Sequence, residues 1–183
     1  GTNRRTDRWG GDRRQRTAFA AEVVRAVRAA VGEDLPIAFR FSQFKMQDYN
    51  ARLADDPSEL EEVLGPLADA GVDIFDASQR FFDTPAFAGS PLNLGGWAKK
   101  LTGVPTISVG SVGLTGEFIA AWGGEASTPA SLDELIKRMD RGEFDLVAVG
   151  RALLQDPNWV LKVKEGRNDE LMNYDLKALA TLS

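Results

Sequence analysis

Three observations in the sequence predict an α/β protein built on a parallel sheet. Short apolar runs of strand character alternate with helical patterns four times between Leu35 and Gly166. The strands begin near Pro36, Val72, Pro105 and Asp145, a spacing of roughly 35 residues, close to the share of one unit when the about 250 residues of a β/α barrel are divided among eight. Each strand is mostly apolar without strict polar alternation, as expected where both faces of a parallel sheet are covered. Four units do not close a barrel that takes eight. The pattern therefore admits one half of a barrel or a small open, doubly wound sheet.

Along the chain, Thr17 to Val31 place Phe19, Val23, Val27 and Val31 four apart with arginines between them, the mark of an amphipathic helix that Gly32 ends. "LPIAFRFS" reads as a strand. "PSELEEVLGPLADAG" opens with a serine cap just after Pro57, carries acidic residues in its first turn and closes on Gly71, so a helix is expected. "VDIFDAS" is a strand, "LNLGGWAKKLTG" a helix and "PTISVGS" a strand. The last unit and a half consists of "SLDELIKRMDRGEF" (helix), "DLVAVG" (strand) and "RALLQDPNWVLKVKEG" (helix). No low-complexity linker divides the chain.

Composition bounds the chemistry. The 183 residues are 43% hydrophobic and 27% charged, a globular balance. Without a cysteine or a histidine, the chain cannot by itself supply a disulfide, a thiolate or imidazole metal site, or a Ser-His-Asp triad. No apolar run is long enough to cross a bilayer, and the arginine-rich start lacks the apolar block of a signal peptide, so no membrane contact and a cytoplasmic location are expected. That start, "GTNRRTDRWGGDRRQR", holds six arginines against two aspartates while the whole chain carries a net charge of −5. The acidic remainder would repel a phosphate backbone. The arginines are read as surface charge around a Trp-Gly-Gly turn, not as a nucleic-acid arm.

The candidate site lies at the carboxyl ends of the strands. In "PIAFRFS" alternation puts Ile37, Phe39 and Phe41 on one face and Ala38, Arg40 and Ser42 on the other, so Arg40 points inward near the end of its strand. A guanidinium there needs an anion, or else a structural ion pair with an inward carboxylate such as Asp76. "SVGSVG" sets Gly110, Ser111 and Gly113 after the third strand, and "VGR" sets Gly150 and Arg151 after the fourth. Bare backbone N–H groups beside an arginine suit a phosphate, and loops after the last two strands often bind one in barrel enzymes. The long loop after the second strand carries Arg80, Phe81 and Phe82, which are expected either to form a lid over a flat ligand or to plug the rim. On the following helix, Trp97 is read as core, and Lys99 and Lys100 as a solvated face.

Five stretches together resemble the Old Yellow Enzyme family of FMN-dependent NAD(P)H:flavin oxidoreductases and ene-reductases. They are "NRRTDRWGGDRRQRTAFAAEVVRAVRAAVG", "IAFRFSQFK", "PLADAGVDIFDAS", "PTISVGSVG" and "DLVAVGRALLQDPNW". The most specific are the opening N-x-R-T-D-x-W-G-G and the closing V-G-R-x-L-L-x-D-P. The resemblance implies the C-terminal half of a TIM (β/α)8 barrel, a single partial domain over residues 1–183. It implies FMN as cofactor, NADH or NADPH as reductant and a small-molecule electron acceptor such as an activated alkene. Arg40 matches the arginine facing the pyrimidine side of the flavin ring. Gly110 and Ser111 match the first phosphate loop, and Gly150 and Arg151 the second. The carbonyl-polarising pair and the proton-donating tyrosine belong to the other half of such a barrel, and neither Tyr49 nor Tyr174 matches that tyrosine. Asp76 stands where the resemblance leads one to expect histidine.

Two rivals remain at this stage: a non-flavin barrel enzyme holding a sugar phosphate on the same loops, and a non-catalytic half-barrel that acts as an assembly partner. A lone half exposes two sheet edges and apolar interior surface. Pairing with an N-terminal half, in cis or in trans, or oligomerisation is therefore expected.

Overall fold

A computed structural model describes residues 2–48 and 50–180; Tyr49 lies outside the described residues. Four parallel strands form one sheet in the order β1-β2-β3-β4. They are β1 (Ala38–Ser42), β2 (Ile74–Ser78), β3 (Thr106–Val109) and β4 (Leu146–Ala148). Each strand pairs with the next in sequence, so β1 and β4 are the edges.

The first helix, α1 (Arg13–Val31), starts four residues before the apolar period does, because Asp12 and Gln15 form a reciprocal capping box. Its buried residues are Thr17, Ala21 and Val24. The stripe of Phe19, Val23, Val27 and Val31 expected to mark the helix is exposed instead. The smaller side chains let α1 lie close against α2 (Pro57–Asp69), and the bulkier ones turn away, Phe19 meeting Trp9 edge to face at 5.5 Å. Helix α2 is capped by Asp56, whose side chain accepts from Glu59 N, with Pro57 in the first turn. This corrects the serine cap, since Asp56 sits before the helix where its oxygen can reach the free N–H groups.

Helix α3 (Leu94–Thr102) runs from the Asn93 cap to Gly103, at φ 71°. The β3–β4 crossover holds two helices, α4 (Phe118–Trp122) and α5 (Asp133–Asp140), and sequence periodicity found only the second. The final helix is also two, α6 (Arg151–Gln155) and α7 (Trp159–Lys164). Pro157 falls between them and has no N–H to continue the ladder. Two 3₁₀ turns, Asn168–Glu170 and Leu176–Leu179, bring the chain back, and Tyr174 N donates to Ser127 O at 2.9 Å.

One sheet face packs on helices. Phe41, Phe75 and Ala77 join Leu60, Leu64, Leu67 and Leu94 in a first apolar cluster, and a second gathers Phe82, Phe144, Ala152, Trp159 and Tyr174. The opposite, open face is read off the register. One row holds Arg40, Asp76, Ile107 and Leu146, and the next holds Ser42, Ser78, Val109 and Ala148.

Two aspartates fasten the amino ends of the strands by the same device. Asp73, just before β2, accepts Ile37 N at 2.7 Å and pairs with Arg28 of α1. Asp145, just before β4, accepts Thr106 N at 2.9 Å and pairs with Lys99 of α3 at 2.7 Å. Lys99 is thus tied down, whereas Lys100 lies over the Trp97 ring at 4.7 Å.

Candidate functional site

The carboxyl ends of the strands frame a cleft of about 440 Å³ that Arg40, Arg80, Gly110, Ser111, Glu117, Gly150 and Arg151 help to line. All five residues selected from the sequence therefore meet in one place. What each does there differs.

Gly110 has φ 149°, and a Cβ on it would stand 2.8 Å from Gln79 O and 3.0 Å from the Phe81 carbonyl carbon. The loop after β3 thus lies directly on the loop after β2, and only a bare Cα fits between them. Ser111 follows at φ 48°. Its hydroxyl is 2.9 Å from both Arg80 O and Gly116 O. Gly113 has a packing role, since a Cβ there would meet the Trp159 ring at 2.7 Å. Gly150 caps α6, and no heavy atom lies within 4 Å of where its Cβ would be. The main chain at that strand end is open to approach.

Arg151 is buried, and its guanidinium donates to Gly116 O (2.5 Å), Glu117 O (3.2 Å) and Ser111 Oγ (3.1 Å). Its Cζ lies 5.5 Å from the centre of the Tyr174 ring. The acceptors are neutral, and among the described residues no ion pair involves Arg151. Burial accordingly pulls its pKa below the usual guanidinium value, against the opposing influence of Tyr174 and Glu117. A buried cation whose hydrogen bonds all go to neutral acceptors has unused capacity for an anion.

Arg40 takes the ion-pair alternative. Its Nε and Nη2 lie 2.9 and 2.8 Å from Asp76 Oδ2, while its side chain remains 61% exposed toward the cleft. The parallel register that aligns Arg40 with Asp76 makes this pairing unavoidable. In the loop after β2, Phe82 enters the second apolar cluster, as the plug reading expects, and Phe81 lines a neighbouring cleft.

Sequence reasoning missed Glu117 and the use of Arg80, which pair at 3.4 Å across the cleft. Glu117 also accepts Ile119 N and Ala120 N as the cap of α4. "GEFIAAW" carries that cap signal, an acidic residue between a glycine and an apolar run. Among the described residues no group of three metal-ligating side chains occurs, and no helix is long and apolar enough to cross a membrane.

A parallel strand-helix array whose strand ends hold two glycine loops around a buried guanidinium is an α/β protein with its cleft at the carboxyl ends of the sheet. The chain is a member of the NADH:flavin oxidoreductase / NADH oxidase family, whose sequence model matches residues 1–114. It is 32% identical over 178 residues to an NADH oxidase of Thermoanaerobacter brockii, covering 93% of this chain and 24% of that protein. An NADPH dehydrogenase of Clostridium acetobutylicum is 28% identical over 171 residues, with coverage of 91% and 44%. The old yellow enzyme homologue of Zymomonas mobilis superposes on the whole of this chain with a TM-score of 0.69 at 17% identity, and 45% of that chain is covered. The four units are thus part of a (β/α)8 barrel. The chain spans less than half the length of these relatives.

Proposed function

We propose that residues 1–183 form the flavin-holding half of an FMN-dependent NAD(P)H oxidoreductase. The observation that carries this reading is the convergence of the Gly110-Ser111 loop, the Gly150-Arg151 turn and Arg40 on one cleft. FMN fits the donor set. A dianionic phosphate at the open backbone of Gly150 would meet the Arg151 guanidinium, which lacks an anionic partner among the described residues. Arg40 would present its exposed edge to the ring. When bound, FMN supplies the two-electron relay between NADH or NADPH and a small-molecule acceptor such as an activated alkene.

The chain's own share is to grip the phosphate, orient the ring and set the charge beneath it. With no histidine, it leaves polarisation of the acceptor and proton delivery to an N-terminal half, in cis or in trans. The names of the Thermoanaerobacter brockii and Clostridium acetobutylicum relatives support NADH or NADPH as the reductant.

The test is titration of the purified chain, alone and with a complementary N-terminal half, by FMN and by riboflavin, followed through flavin fluorescence. FMN is expected to bind at least about tenfold more tightly than riboflavin, the low end for a charge-assisted contact. Equal affinity for the two, or binding of a sugar phosphate but no flavin, refutes the reading.

A further inference from the structure

The row of the open sheet face that carries charge holds Arg40 and Asp76 beside Ile107 and Leu146. Side chains in the rows above and below are uncharged: Ala38 and Ile74 on one side, Ser42, Ser78, Val109 and Ala148 on the other. Within the pair the two partners are placed unequally. Arg40 is 61% exposed and lines the cleft, whereas Asp76 is only 14% exposed. Both guanidinium contacts fall on Oδ2, and Asp76 Oδ1 is buried with no hydrogen-bond partner among the described residues. Half of the carboxylate is therefore buried without a donor among the described residues. A side chain that served only to fasten two strands would gain more by sharing both oxygens with the fork of an arginine.

We propose that Asp76 is a positioning and charge-offsetting residue: it holds Arg40 at the cleft and cancels much of its charge. A bound ring that gains negative charge as it takes up electrons then meets a dipole instead of a free cation. This rests on the flavin reading of the cleft. Ile107 and Leu146 continue the row on the Asp76 side and offer no polar group to screen the pair. Removing the carboxylate charge exposes the ring to the whole attraction of Arg40, and an unopposed neighbouring charge stabilises an anion by about tenfold or more.

Asp76→Asn keeps the size and one acceptor oxygen while removing the charge. The quantity to measure is the ratio of FMN dissociation constants for the reduced and oxidised forms, under anaerobic conditions. The variant is expected to shift that ratio at least about tenfold toward the reduced form, equivalent to roughly +30 mV in the two-electron potential of the bound flavin. Arg40→Gln is expected to shift the ratio the opposite way, toward the oxidised form, because it removes the cation that Asp76 offsets. An unchanged ratio in Asp76→Asn, or a shift of Arg40→Gln toward the reduced form, overturns the proposal. Asp76→Ser provides the same reading if the asparagine variant does not fold. Wild-type chain that binds FMN alongside an unresponsive variant refutes this inference alone. Wild-type chain that binds no FMN, with or without the N-terminal half, refutes the flavin reading and this inference together.

Discussion

At Gly110 a methyl group has no room, and at Gly150 it has all the room it needs. This contrast separates two uses of glycine at the same mouth. Gly110→Ala must push the loop after β3 away from Gln79 O, 2.8 Å from the new carbon, and must also hold φ 149°. It is expected to cost about 1–3 kcal/mol of stability in denaturant unfolding. Gly150→Ala meets nothing within 4 Å and should leave the unfolding midpoint nearly unchanged, yet lower FMN affinity by standing where the phosphate approaches the main chain. If both variants lose stability alike, Gly150 is a structural glycine and the phosphate is held elsewhere. Arg151→Met should abolish the preference for FMN over riboflavin, because it removes the cation that distinguishes a phosphate from a hydroxyl. That the five candidate residues gather at one mouth was legible in the sequence, because each is a residue type with a narrow physical use at a strand end. Asp76 was legible too as a partner for Arg40, and the β1–β2 register brings the two together. The partners of Arg151 were not legible, because it meets Gly116 and Glu117 through a loop whose helix had no visible period.

Among elements, the two ends of the sheet divide the work. The amino ends are closed by Asp73 and Asp145, which each bind the backbone of the preceding strand and a cation on a helix. Both carboxyl groups titrate below the usual aspartate value. For Asp73 the Ile37 N–H is the foremost cause, with Arg28 assisting; for Asp145 burial opposes the shift, but Lys99 and the Thr106 N–H outweigh it. A carboxylate whose pKa is depressed by folding contributes stability above its unfolded pKa of about 3.9 and loses that contribution as the pH falls through the folded value. The melting temperature should therefore drop on acidification below about pH 4, and the double variant Asp73→Asn, Asp145→Asn should show a flatter acid limb. An unaltered limb would mean that other carboxylates govern acid unfolding. The strands were readable because parallel strands meant to be covered on both faces keep near-continuous apolar runs. Element ends and faces were harder to read. The stripe on α1 obeys the helical period but points outward, since small side chains rather than large ones set the approach to α2. The last helix breaks at Pro157, although its apolar pattern continues on either side.

For the whole molecule, the same outward stripe becomes informative. Phe19 is 59% and Val23 47% exposed on α1, which packs against α2, and at the β4 edge of the sheet Leu146 is 49% exposed. A sheet with two free edges and apolar flanks is a surface prepared for burial. Relatives more than twice as long as this chain give that burial a natural source. The purified chain is expected to self-associate, and light scattering should report species larger than a monomer. Adding the complementary N-terminal half should replace them with a defined one-to-one complex. Substituting Phe19, Val23 and Val27 with lysine discriminates between the helix stripe and the strand edges as the driving surface. If the stripe drives association, the triple variant moves toward monomer; if the edges do, it stays associated and only the second half dissolves it. A wild-type chain that scatters as a single monomer population, indifferent to the added half, would show that neither surface is an interface. The barrel would then not be completed in trans.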